Sequence, residues 1–600
     1  MAVAVVWSAV LATLIVGPMM RGGWVLLLDW VTGPEVTYAD RIGAGSSLPA
    51  GPVFFGGAAV LQWLFGAAVG WLLPWCTLVL AGVGAARLAG VGAPERRPSD
   101  RRPSDGWHGG WRGMISPLTA VTAYVWNPFV HERLYAGQLG VLLGYAILPF
   151  LARAALHAFD TEGSDEIGGE RGRGTRRGTH RSCAILGATW AVGTAASIHF
   201  AVLGAVVVGA TFAAVAIVRR KIRWRELLVG TAVVLALTGA WLLPRVSNAP
   251  ATGNDETVDA FATRADPHLG LAAGVALQSG FWRPSLGEPN STSGWWFALA
   301  GGTMGGATLV GYAALWTRRR SLAVTGAVLG AVGWLLGQGA NGIVGPLFTS
   351  LTHVPGMRVM REAGKFISLV SLATTIGLAA FAHVVAGLLP LHDRGGRGAD
   401  QAAVARVGAR LATVAGRLAG LAVLAVAALP VMPAALTPGL FWGVGGRLAA
   451  VRYPPAWFEL RATLDGEDNG RAAGSVIVLP FIGYLNPGFT NGRIVRNPAL
   501  SFFGNRVRLS DNLGVLGLEP STATLDVEMA LNDPDPATSL AAVGVRWVIC
   551  GPTDGDWIRD SLAERPCASN RLNDFEEVRR ADGWVLFRVG ALTLSGDAQN

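Results

Sequence analysis

The sequence predicts an all-α polytopic membrane bundle of about 11 transmembrane helices, joined to a small extracytoplasmic α/β domain. Three observations point there. Hydrophobic residues make up 51 % of the 600 residues and charged residues only 15 %, against roughly 25 % charged in globular proteins. The deficit is concentrated, because 42–86, 134–152, 184–218 and 227–243 contain no Asp, Glu, Lys or Arg, and about 20 apolar residues in a helix cross a hydrocarbon core of roughly 30 Å. From about Arg452 the pattern changes to short strand-like runs separated by helical or loop segments. This pattern disfavours a soluble enzyme, a disordered chain and a nucleic-acid reader.

The first apolar run, 2–20, lacks a charged leading region and an Ala-x-Ala cleavage site, so it reads as a retained helix. The further spans fall at about 70–90, 114–126, 137–157, 183–198, 201–218, 227–244, 295–316, 321–337, 366–390 and 418–435. The run 184–218 is too long for one crossing, since its length at 1.5 Å per residue would extend over about 52 Å. Basic residues flank it, Arg181 before and Arg219, Arg220 and Lys221 after, which predicts a hairpin of two helices with His199 at its tip.

Loop charge orients the drawing. One alternating set of loops carries 25 basic residues, the other nine, which places the N-terminus in the cytoplasm and the C-terminal region outside. The net charge of +9 is therefore a property of topology and not of a nucleic-acid partner. The basic loops are low-complexity: the pentad at 96–100 repeats at 101–105, and 160–182 is rich in Gly, Arg and Thr. Both read as solvated connectors beside anionic membrane lipid heads.

Residues 1–435 then form the membrane domain and 436–600 the extracytoplasmic domain. Strands are expected at 475–480, 545–549 and 584–588, separated by helical or loop segments such as 537–543. Of the four cysteines, Cys76 and Cys183 lie in or beside apolar runs. Cys550 and Cys567 fall in the polar C-terminal region and pair if it faces an oxidising compartment.

The spans are nearly free of ionisable groups, whereas ion-coupled transporters place acids or His near mid-bilayer. The notable charges collect at the outer boundary instead, in three places. In the first outer loop Asp29 lies between Leu28 and Trp30, with Glu35, Asp40 and Arg41 following. A carboxylate in such a semi-apolar setting suits a general base. The plainer reading is an interfacial acid that caps the next helix or pairs with Arg41. The second place runs from Asn127 and Pro128 through His131, Glu132 and Arg133 to Gly137 and Gln138. Asn-Pro ends one helix and starts the next, and the triplet either positions a substrate or supplies a local Glu–Arg pair. In the third, Arg358, Arg361 and Lys365 recur at three- and four-residue spacing. On a helix they share one face, a phosphate clamp, with Glu362 neutralising Lys365 or Arg358 in the plainer reading. Lys365 is one of just two lysines, the other being Lys221, and it sits on the side that positive-inside bias disfavours.

Together these places resemble the GT-C superfamily of integral-membrane glycosyltransferases that use polyprenyl-phosphate-linked sugars. The likeness rests on Asp29 in the first outer loop, on Asn127, Pro128, Phe129, Glu132, Arg133, Leu134, Gly137 and Gln138 with the continuation Gly144, Tyr145, Leu148 and Pro149, and on Arg361, Glu362, Lys365 and Phe366. It covers residues 1 to about 435, extends more loosely over Tyr453 to Trp457 and Val478 to Pro480, and is nearest to bacterial, including actinobacterial, cell-wall enzymes with an extracytoplasmic C-terminal domain. The paired acids frequent in that family are absent at Asp29, whose neighbour is Trp30, which leaves Glu35 and Asp40 as reserve catalytic residues.

The resemblance implies inverting transfer of a sugar from a polyprenyl-phosphate donor to an extracytoplasmic glycan, lipid or protein acceptor. Asp29 acts as base, Arg358, Arg361, Glu362 and Lys365 form the phosphate site, and His131, Glu132 and Arg133 position donor or acceptor. Trp457 and Tyr484 of the outer domain would guide a glycan. A divalent metal, Mg or Mn, is accommodated through Asp29 and Glu35 without being required. Two readings of other classes stand beside this one: a lipid or glycan flippase or transporter, which predicts a hydrophilic path and inverted repeats, and a non-catalytic envelope-assembly protein.

Overall fold

The computed structural model describes residues 1–36, 51–92, 112–160, 174–247, 255–283, 294–354, 356–388, 428–467, 474–490, 492–512, 519–552 and 575–590. The basic connectors centred on 93–111 and 161–173, Asp40 and Arg41, Cys567 and most of the span drawn at 418–435 lie outside them.

Ten of the eleven drawn spans are helices: α1 (Ala2–Val16), α3 (Val69–Ala89), α4 (Arg112–Val125), α6 (Leu139–Phe159), α7 (Gly174–Ala196), α8 (His199–Arg219), α9 (Trp224–Ser247), α10 (Gly294–Arg318), α11 (Arg320–Gly337) and α12 (Ile367–Leu388). Between them come α2 (Pro52–Phe65) and the short α5 (Pro128–Tyr135). Eight helical stretches among the described residues are long and apolar enough to cross a membrane, and the chain is a multi-pass membrane protein. The hairpin expected within 184–218 is present, broken at Ser197 and Ile198. Helix α2 was not foreseen. The charge-free run from 42 to 86 reads as uniformly apolar, and only the turn at Gly66, at φ +55°, separates α2 from α3.

The bundle packs around α3, which touches α1, α4 and α6, and α12, which touches α4, α10 and α11. Lipid is as apolar as leucine, so close backbone approach rather than burial from water holds membrane helices together. The α10–α12 contact shows it: a Cβ on Gly311 would run into the carbonyl of Gly377.

The C-terminal α/β unit is a four-stranded sheet of order β1 (Ser475–Leu479), β4 (Val545–Cys550), β6 (Trp584–Arg588), β5 (Glu576–Ala581), with β1 parallel to β4 and the other neighbours antiparallel. β2 (Tyr484–Leu485) and β3 (Val495–Arg496) form a separate antiparallel ribbon. Helices α13 (Pro455–Glu467), α14 (Thr522–Asn532) and α15 (Pro536–Ala542) complete it. All three predicted strands are present, and the segment near 537–543, expected as helix or loop, is helical. Cys550 is disulfide-bonded, while Cys76 and Cys183 are free.

Trp457 is wholly buried, in an aromatic core with Phe502, Phe503 and Trp584 at centroid distances of 5.2, 5.1 and 5.2 Å. It therefore cannot present its ring to a glycan, and that expectation is corrected.

The α/β unit and the bundle share the first outer loop as a common seam. Trp24 and Val451 exchange backbone hydrogen bonds of 2.8 and 2.9 Å. The Arg496 N–H donates to Leu28 O at 2.8 Å, and Tyr453 Oη donates to Thr32 O at 2.9 Å. From the bundle side, Gln62 Nε2 donates to Gly33 O at 2.8 Å. A loop held from both sides gives its side chains fixed positions.

Candidate active site

Asp29 projects from this seam. Its backbone N–H donates to Ala136 O at 2.9 Å, where Gly137 turns at φ +67° and a Cβ would meet Trp30 N at 2.5 Å. A left-handed turn pressed against another backbone is a position for glycine. The Asp29 carboxylate accepts a hydrogen bond from the Tyr484 hydroxyl at 2.7 Å. Tyr484, proposed from sequence as a glycan guide, thus touches the predicted base and orients it.

Asn127 builds the second element. Its Oδ1 caps α5 by accepting from Val130 N at 3.0 Å, with Pro128 at the first helical position, a combination suited to helix starts. Its Nδ2 donates to Tyr145 Oη at 3.1 Å, and the Tyr145 ring stacks on Tyr124 at 4.0 Å. The plain reading of Asn127 as a helix cap is the observed one.

His131, Glu132 and Arg133 on α5 are all fully buried. Glu132 Oε1 accepts from Ser279 Oγ at 2.8 Å and Gly280 N at 3.0 Å. Burial raises its carboxyl above the ordinary range, opposed by these donors and by the Arg133 charge. Arg133 is ion-paired not with its neighbour but with Glu362, 229 residues away, and Nη1 also donates to Gln138 Oε1 at 2.7 Å. The guanidinium lies over the rings of Phe129 and Phe281 at 5.3 and 4.7 Å. Its Nε and Nη2 have no hydrogen-bond partner among the described residues. Burial pushes Arg133 down to about 10, opposed by the charges of Glu132 and Asp29. Both ring nitrogens of His131 lack a partner among the described residues, and burial pushes this imidazole down to about 4.

The third element differs from expectation. Residues 357–366 form two 3₁₀ turns, Met357–Met360 and Ala363–Phe366, set off by Gly356 at φ +81°, and not one α-helical face. Arg358, Arg361 and Lys365 therefore do not project in register. Arg361 is half-buried over the Phe261 ring at 4.9 Å, and Arg358 is half-buried too. Lys365 is buried, with Nζ 3.0 Å from Glu362 Oε2 and 2.7 Å from His199 Nε2. Glu362 therefore bridges Lys365 and Arg133 rather than Arg358.

The structure thus brings Arg133, Glu362 and Lys365 into one buried cluster, and Asp29 is tied to the end of α5, the helix that carries Arg133, through its bond to Ala136 O. Glu35 is placed elsewhere. Its carboxylate is ion-paired with Arg461 of α13. Among the described residues no group of three or more His, Cys, Asp or Glu is placed to hold a metal. Sequence reasoning missed Ser197, Ser279 and Phe281 at the site, and marked His199 only as a loop tip. For His199 the signal was there, since it is the single ionisable group within 184–218.

No family model and no curated protein matches the chain. Among solved structures it is similar to the crystal structure of ArnT from Cupriavidus metallidurans in the apo state, at 14 % identity over 98 % of each chain with a TM-score of 0.42. It is similar also to ArnT from the same organism bound to undecaprenyl phosphate, at 13 % identity over 98 % of this chain and 97 % of that one with a TM-score of 0.41.

Proposed function

We propose that the protein is a membrane glycosyltransferase that moves a sugar from a polyprenyl-phosphate donor to a glycan, lipid or protein acceptor on the side of the membrane where the α/β unit lies, which loop charge assigns to the cell exterior. The observation that carries this reading is that Asp29, tied through its N–H to Ala136 O at the end of α5, lies beside the helix whose Arg133 joins Glu362 and Lys365 in one buried cluster, across more than 300 residues of sequence.

Asp29 accepts the proton of an acceptor hydroxyl as that oxygen bonds to the anomeric carbon. The bond from this carbon to the phosphate oxygen breaks, its electron pair stays on phosphate, and polyprenyl phosphate departs with inversion at the sugar. The anomeric carbon acquires oxocarbenium character on the way. Negative charge grows on the leaving phosphate, where Lys365, Arg361 and the unpartnered Nη2 and Nε of Arg133 stabilise it as preorganised donors. Tyr484 holds the Asp29 carboxylate in one orientation, so little reorganisation is needed when the proton moves.

With a purified polyprenyl-phosphate sugar as donor, Asp29→Asn lowers transfer between about 100- and 10,000-fold, the range for loss of a general base, while the variant inserts and folds normally. Wild-type turnover by that variant would remove Asp29 from the role of base.

A further inference from the structure

A line of polar contacts runs through the site from a direction the sequence motifs do not mark. Ser197 Oγ lies 2.6 Å from His199 Nδ1, and His199 Nε2 lies 2.7 Å from Lys365 Nζ. Lys365 continues to Glu362 at 3.0 Å, and Glu362 to Arg133. The line begins at the turn joining α7 to α8 and ends on α5. His199 and Lys365 are 166 residues apart and both are buried.

With Lys365 protonated beside the Glu362 carboxylate, one proton arrangement satisfies every contact. The Lys365 ammonium has only donors, so His199 Nε2 must accept, the ring is neutral, and Nδ1–H donates to Ser197 Oγ. Two of the three ammonium N–H bonds are then directed, one at Glu362 and one at His199. The third has no partner among the described residues, and its direction is fixed by the other two.

The choice of histidine has a chemical consequence. A second carboxylate in its place would hold Lys365 equally well but would cancel the positive charge. A neutral imidazole orients the ammonium and leaves its charge intact. A merely structural ion pair between Lys365 and Glu362 gains nothing from this, whereas a group that must offer one aimed, charged N–H to an anion does. An ionisable residue in an otherwise apolar membrane segment also needs a specific partner to be tolerated, and Lys365 is that partner.

We propose that His199, steadied by Ser197, is a positioning residue that aims the Lys365 ammonium at the phosphate of the polyprenyl carrier. This rests on the glycosyltransferase reading above, in which a polyprenyl monophosphate is the leaving group.

The test uses the full chain in detergent, with a long-chain polyprenyl monophosphate as probe and the corresponding polyprenol as the phosphate-free control. His199→Leu weakens monophosphate binding about tenfold or more, the scale of one hydrogen bond to a charged group, and leaves polyprenol binding unchanged. His199→Gln, which restores an acceptor for Lys365, recovers most of the affinity. Ser197→Ala, which keeps the ring but frees its tautomer, loses about two- to fivefold and decides the matter should His199→Leu fail to fold. Unchanged monophosphate affinity in a folded His199→Leu, or in Ser197→Ala where that variant decides, overturns the proposal while leaving the transferase reading intact. Equal losses for monophosphate and polyprenol, or a His199→Gln no better than His199→Leu, also overturn it, because they reveal packing alone. A wild-type chain that binds no polyprenyl monophosphate overturns both readings together.

Discussion

The Arg133–Glu362–Lys365 cluster and the outer rim of the C-terminal sheet use the same chemistry in opposite surroundings. On the rim, Arg580 pairs with Glu577 at 2.6 Å with side chains 58 % and 43 % exposed. In the cluster, Arg133, Glu362 and Lys365 are 0, 8 and 7 % exposed. Water screens the first pair, so it contributes almost nothing. The second has lost its hydration, and Coulomb attraction at best offsets that loss. Burying three charges where apolar side chains would pack at least as well is a cost to folding that stability does not explain and the proposed phosphate site does.

The largest effect separating the two regions follows from removing one partner in each. Glu362→Ala removes the carboxylate that pairs directly with both buried cations and destabilises the protein by about 3–5 kcal/mol, read as a fall in the detergent unfolding midpoint. Glu577→Gln on the rim leaves that midpoint unchanged. Equal effects at the two sites would show that burial does not distinguish them.

A smaller effect sharpens the contrast through pH. His131 has a folded pKa of about 4 against 6.5 in the unfolded chain. Below pH 6.5 the unfolded chain binds a proton that the folded one refuses, so stability falls as pH drops from 6.5 towards 4, by about 1.4 kcal/mol per unit and about 3 kcal/mol in all. Glu132, whose carboxyl is raised, works in the opposite sense, since the folded state then holds its proton more tightly. The informative quantity is therefore the difference between wild type and His131→Phe. The variant should gain stability relative to wild type steadily below pH 6.5 and match it above pH 7. A difference that does not vary with pH would mean His131 titrates normally in the folded protein.

How much of this was legible beforehand depends on what each residue's neighbours are. The strands at 475–479, 545–550 and 584–588 announce themselves because their β-branched and aromatic residues are buried. β5 did not, since Glu576, Glu577, Arg579 and Arg580 suit an exposed edge strand and carry no apolar pattern. Helix spans followed from hydropathy, but the break at Gly66 did not, because apolar residues continue on both sides of it. At the site, Asp29, Arg133, Glu362 and Lys365 were identifiable as unusual charges in unusual places. Their partners were not: Glu362 reaches Arg133 rather than Arg358, Glu35 reaches Arg461, and Lys365 reaches His199. Pairings over such separations are properties of packing, and local spacing does not encode them. The helical face expected for Arg358, Arg361 and Lys365 failed for a local reason, the turn at Gly356 and the two 3₁₀ segments that follow.

Transfer at this site requires an anionic lipid carrier to bind beside Asp29 and the buried cations. A structure of the full chain with a polyprenyl monophosphate should place the phosphate within hydrogen-bond distance of Lys365 Nζ and of Arg361 or Arg133, on the side that faces the Asp29 carboxylate. A phosphate seated at the opposite end of the bundle, or one separated from Asp29 by the Arg133–Glu362 pair, would contradict it.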